Sequence, residues 1–178
     1  MKVQGANRFR TGCLAVLTAC ALLSVAAFAV FLARQHQLAR ASTWTFEEKQ
    51  QFADFASAHI AQPGWILKRT EIRDGGRDVF GSPDPSGAAG AVEYAVQSPT
   101  DVLAAPDKIM RRLIDSGYGK AEGSRCESSR EAEAVGRVCS FSNGMYVAGS
   151  SANRNTPYPT VTFQVPLSEF RQIVKGQI

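Results

Sequence analysis

Cys126 and Cys139 are the residues whose type and spacing carry the clearest chemistry. They flank Glu127–Val138, and a hairpin centred near Ala132-Glu133 sets them opposite one another. Directly opposed residues of antiparallel strands lie ~4.5–5.5 Å apart at Cα, within reach of a disulfide. A redox pair is more usually Cys-x-x-Cys, so this spacing reads as a structural staple. Closing so short a loop contributes roughly 3 kcal/mol. An exported domain with an even number of cysteines normally pairs them; two buried free thiols are the reading for a reducing compartment.

The rest of the chemical inventory is thin. His59 is the sole imidazole of residues 45–178, and Ser57, two residues away, faces elsewhere on a helix. No Gly-x-Ser-x-Gly elbow, Gly-x-Gly-x-x-Gly fingerprint or Gly-Lys-Ser/Thr loop occurs. Zinc requires a Cys or His cluster that the chain lacks. Asp74, Asp78 and Asp84 lack the alternation of a calcium loop. No metal and no cofactor is expected. Glu47 and Glu48 read as helix N-terminal charges. An enzyme would have to draw on a scattered set, a pocket gathering at least one of His59, Glu93 or Asp101 with a second polar group, and catalysis is not the expectation.

The net charge of +4 is unevenly placed. Residues 1–40 hold five bases (Lys2, Arg8, Arg10, Arg34, Arg40) and no acid, whereas residues 41–178 hold 15 bases against 16 acids. Nucleic-acid affinity needs a concentrated cationic face. Lys68-Arg69 and Arg111-Arg112 are isolated pairs without interleaved aromatics, so no nucleic-acid partner is expected.

The strongest pattern is CLAVLTACALLSVAAFAVFL, Cys13 to Leu32, 20 residues without a charge. As a helix it covers roughly 30 Å, the thickness of a hydrocarbon core. A lone span must be helical, because lipid offers nothing to free backbone amides. The excess of base before it places the N-terminus in the cytoplasm and the remainder outside. An uncleaved anchor is favoured. Ala27-Phe28-Ala29 has the small-x-small form of a signal cleavage site, yet Val30-Phe31-Leu32 continue the apolar run past it. Leu17-Thr18-Ala19-Cys20 resembles the lipobox of bacterial lipoproteins, but Ala21-Leu22-Leu23 replaces the usual polar residues after a lipidated Cys20.

Thr45-Phe46-Glu47-Glu48 forms a capping box for a helix over about Phe46–Ala61, with Phe52, Phe55, Ala56, His59 and Ile60 at helical spacing and Pro63-Gly64 as the stop. Trp65–Ile72 reads as a strand. Asp74–Gly90, with five glycines and two prolines, reads as a long surface loop. Ala91–Gln97 alternates as a half-buried strand. Pro106 suits the start of a second helix and Gly117 its stop. Strands are expected near Glu122–Glu127, Gly136–Ser142, Met145–Ser150 and Thr160–Val165, with Asn143-Gly144 as a two-residue hairpin turn. Leu167–Lys175 reads as a short closing helix.

The fold class is therefore α+β: a transmembrane helix, then one domain with a mainly antiparallel sheet of about four to five strands and two to three helices on one face. The organisation is a basic N-terminus (1–12), a span in the lipid bilayer (13–32), a short polar linker (33–44) and an extracytoplasmic domain (45–178). The expected function is a membrane-tethered protein-interaction or envelope-assembly module without catalytic activity, reaching a protein partner through a sheet edge or the 74–90 loop. The alternatives are a small-ligand or lipid-binding domain with an apolar groove between helix and sheet, or an enzyme that includes His59.

Overall fold

Gln4–Ser42 forms one helix, α1, of 39 residues, about 58 Å long at the α-helical rise. It belongs to a computed structural model that describes residues 4–79, 81–118, 122–131, 134–152 and 158–176. α1 is long and apolar enough to cross a membrane. Between Leu22 and Leu32 seven large apolar side chains stand in the open, from 71% exposed at Leu22 to 51% at Leu32. Ser24 Oγ donates to Cys20 O (2.9 Å), which satisfies its hydroxyl within the helix. The segment expected as a polar linker is helical as far as Ser42, because Ala33–Ser42 offers good helix formers and neither glycine nor proline. Trp44 then turns into the core at 3% exposure.

α2 (Phe46–His59) starts on the expected capping box: Glu48 N donates to Thr45 Oγ1 (3.2 Å) and Thr45 N to Glu48 Oε2 (2.8 Å). Its buried face is Phe52, Phe55 and Ala56. β1 (Ile66–Arg73) follows. The stretch expected as a long loop is tied down instead. Gly76–Arg77 (β2) pairs with Pro83–Asp84 (β3), and Pro85–Gly87 forms a 3-10 turn. Asp78 Oδ1 accepts from Ser82 N (2.8 Å) and Asp84 Oδ1 from Ser86 N (2.9 Å). Such aspartate-to-backbone bonds organise a chain without any apolar periodicity.

β4 (Ala89–Ala95) leads to α3, which runs from Pro99 to Asp115 and so begins seven residues earlier than Pro106. Pro99 takes the first-turn place where a missing N–H costs nothing, and Pro106 lies inside the helix. An internal proline leaves the carbonyl four residues back, that of Val102, without its helical partner. Val102 O faces Gly149, where a built Cβ would come within 2.0 Å of it. Only glycine lets the strand come so close. α3 ends as expected: Gly117 has φ +78°, and Tyr118 N donates to Leu113 O (2.8 Å).

β5 (Arg125–Glu131), β6 (Ala134–Ser140), β7 (Tyr146–Ser150) and β8 (Thr160–Pro166) complete the sheet, and α4 (Leu167–Lys175) closes the described fold. The order β1-β4-β8-β7-β6-β5 is antiparallel throughout, six strands where four to five were expected. The turn at Asn143-Gly144 is longer than a two-residue hairpin. Gly144 alone has positive φ (84°), and the bonds Gly144 N to Phe141 O and Phe141 N to Met145 O spread the turn over five residues. A two-residue type I′ turn needs positive φ at Asn143 as well.

Register aligns Val92, Phe163, Val147, Cys139 and Cys126 across the sheet face that α2, α3 and α4 cover. The adjacent row, Glu93, Thr162, Ala148, Val138 and Glu127, lies on the opposite face, polar or small except for Val138.

Replacing Gly149 by alanine drives a methyl into Val102 O, and overpacking of this kind costs about 1–3 kcal/mol. Gly76, with open space around its Cβ direction, is the control and should shift stability by under about 0.5 kcal/mol. Urea unfolding of the full chain in neutral detergent checks both.

Candidate functional site

The C-terminal carbonyls of a helix have no intrahelical partner. At the end of α1 the domain supplies them. Arg171 of α4 donates from Nη1 to Ala41 O (3.3 Å) and from Nη2 to Thr43 O (2.9 Å), and Gly75 N donates to Ser42 O (2.6 Å). The same guanidinium grips Glu48, Nε to Oε1 at 2.6 Å and Nη2 to Oε2 at 3.2 Å. Glu48 thereby closes the capping box of α2 and anchors the residue that caps α1. Asp74 Oδ1 accepts from Trp44 N (2.9 Å), and Gln35 Nε2 donates to Ser82 Oγ (2.9 Å). Three chain-distant segments meet at one seam.

Beneath this polar knot lies an aromatic cluster. Trp44 is 5.3 Å from Phe170 and 5.6 Å from Phe52, and Phe52 meets Phe170 edge-on at 5.6 Å. The indole Nε1 is buried without a partner, so Trp44 serves by shape and apolar area. The Arg171 guanidinium bonded to Glu48 holds that carboxyl below the usual carboxylate range, against the opposing effect of burial.

A cavity of about 890 Å³ opens on the same seam, between the end of α1, the start of α2 and α4. His36, Arg40, Phe170, Arg171, Val174 and Lys175 are among its walls. Its floor is mainly apolar and its lip basic.

The residues singled out from sequence divide cleanly. Cys126 and Cys139 face each other across β5 and β6, with Cα atoms 4.0 Å apart, and form a disulfide. The turn residues Ala132-Glu133 lie outside the described residues. Asp107 approaches both sulfurs, but a disulfide offers no thiolate to a metal, and the Asp107 carboxylate is held by Arg137. The hydrogen bond from Arg137 lowers the pKa of Asp107. His59 packs between Phe55 and Tyr118, 4.8 Å from each ring, and burial and nearby Arg112 push its pKa down. Glu93 lies on the sheet face opposite the helices and Asp101 in the first turn of α3. None of these three lines the seam cavity.

Arg171 escaped the sequence reading, and Arg40 entered it only as one of the bases flanking the apolar run. A lone arginine in a short amphipathic helix looks like solvated charge, and the partners of Arg171 lie more than a hundred positions away. The capping box Thr45-x-x-Glu48 was the legible half of the contact. No known family model, curated protein or solved structure matches the chain.

Arg171→Ala removes a charge-assisted clamp and should cost about 1.5–3 kcal/mol near neutral pH. Because the folded pKa of Glu48 is lowered, its contribution is full above the unfolded carboxylate pKa and is lost as pH falls through the folded value. Wild type should therefore lose more stability than Arg171→Met between pH 7 and pH 3, as read by urea unfolding at both.

Proposed function

We propose that the chain is an uncleaved signal-anchor protein whose domain lies outside the cytoplasm and binds another protein, without catalysing a reaction. The base excess before the span supports that orientation. The disulfide Cys126–Cys139 fits an oxidising compartment. α1 supports retention of the anchor, since it continues from the apolar stretch to the domain seam as one helix.

The observation that carries protein binding is the edge strand β1. It pairs on one side with β4 and has no strand on the other among the described residues. Ile66 and Leu67 there are 56% and 54% exposed, unusual for an edge that meets only water. The rest of β1 is guarded by charge: Glu71 bridges Arg69 (2.8 Å) and Arg73 (3.2 Å), while Lys68 sits 5.0 Å over the Tyr158 ring. An extended partner segment adding to β1 gains backbone bonds along the strand and buries Ile66 and Leu67. The charged half disfavours self-pairing.

A photo-crosslinking residue at Leu67 in the full chain, in native membranes, should give one discrete adduct. The same probe at exposed Arg111 on α3 should give none, and protease added outside the sealed membrane should digest the adduct. No adduct at Leu67, or protection from external protease, contradicts the proposal.

A further inference from the structure

The lip of the seam cavity holds positive charge that the fold does not consume. Arg171 is neutralised by Glu48. Arg40 and Lys175, both exposed, make no ion pair or side-chain hydrogen bond among the described residues, yet both border the same cavity. His36 stands one helical turn before Arg40 on the same side of α1. Half-buried Ala41 and Val174 supply apolar wall, with Phe170 sealed in the core behind them. A site with cations at its lip and hydrocarbon at its base suits an amphiphile with an anionic head.

Its height along α1 says where such a molecule comes from. Leu32 ends the apolar run, and His36 and Arg40 follow at roughly 6 and 12 Å along the axis. The headgroup region extends on the order of 5–8 Å beyond the hydrocarbon core. Helical Cα–Cβ bonds tilt toward the N-terminus, so Arg40 leans back toward the bilayer, and its long stem lets the guanidinium descend further. The clamp at Ala41 and Thr43 holds Arg171, one helical turn before Lys175 on α4, against the end of α1.

We propose that this cavity binds the headgroup of an anionic phospholipid from the bilayer that α1 crosses. The phosphate sits between Arg40 and Lys175, and the glycerol and first methylenes lie on Ala41 and Val174. The assignment rests on α1 spanning a bilayer and is independent of any protein partner at β1.

The test uses the full chain in nanodiscs of mixed phosphatidylcholine and phosphatidylglycerol, with native mass spectrometry of the lipids that stay bound on release. Each cation near a membrane surface contributes about a fivefold preference, so wild type should retain phosphatidylglycerol over phosphatidylcholine by about twenty-five-fold. The double variant Arg40→Ala with Lys175→Ala should lose that preference, and Lys108→Ala with Arg111→Ala, an equal charge change on α3, should keep it. Equal retention of the two lipids by wild type overturns the proposal, as does a preference that survives in the first variant. Thermal stabilisation of the detergent-solubilised chain separates the sources of the anion. Short-chain phosphatidylglycerol should raise Tm, and inorganic phosphate that raises it equally overturns a lipid site. Stabilisation by a Glu-rich peptide without any phosphatidylglycerol preference assigns the cavity to an acidic protein segment and overturns it too. A chain that does not enter the nanodisc bilayer overturns the span and the site together.

Discussion

The end of α1 is the constraint around which the molecule is arranged. A helix that runs into a folded domain must find partners for its last carbonyls, or spend them on water in a flexible link. Here Arg171 and the Gly75 amide take three successive carbonyls, those of Ala41, Ser42 and Thr43. Glu48 holds the arginine in place. A cation is also well placed electrostatically, because the helix dipole leaves partial negative charge at that end. The seam joins α1 to the domain.

Packing reinforces what the hydrogen bonds specify. Trp44 follows the capped terminus directly and locks between Phe52 and Phe170, so the chain cannot swing away without exposing three large rings. Phe52 in turn stacks over Phe163 of the central strand β8. The contacts run from the end of α1 to the sheet centre through contiguous aromatic rings. At the other end of the sheet the disulfide closes the β5–β6 hairpin on the helix-covered face, with Met110 of α3 3.8 Å from Cys126 Sγ. The sheet is thus held by aromatic packing near α1 and by a covalent link far from it.

Much of this was legible in the residues because local rules decided it. The capping box at Thr45 and Glu48, the glycine stop at Gly117, the alternation through Val161 and Phe163, and the opposed cysteines each depend on neighbours a few positions away. Where the reading departed from the structure, a long-range or backbone effect had won. Pro106 looked like a helix start, but Gly149 on a distant strand accommodates the carbonyl that an internal proline strands. The 74–90 stretch looked like a free loop, but aspartates bonding to backbone amides and the flank of α1 order it. Residues 33–44 looked like a tether because they are polar; their helix propensity and the distant Arg171 make them rigid. The seam cavity had no local signature, since residues 36–51 form one side and α4, more than a hundred positions later, forms the other.

The central claim is that span and domain move together, and a distance measurement reaches it most directly. Spin labels at Arg34 on α1 and Asp115 at the end of α3, in a full chain with Cys13 and Cys20 replaced by serine and held in nanodiscs, report their separation by pulsed electron resonance. A single narrow distance distribution, broadened when Arg171 is replaced by alanine, is the predicted result. A broad distribution in the otherwise native chain would contradict the account.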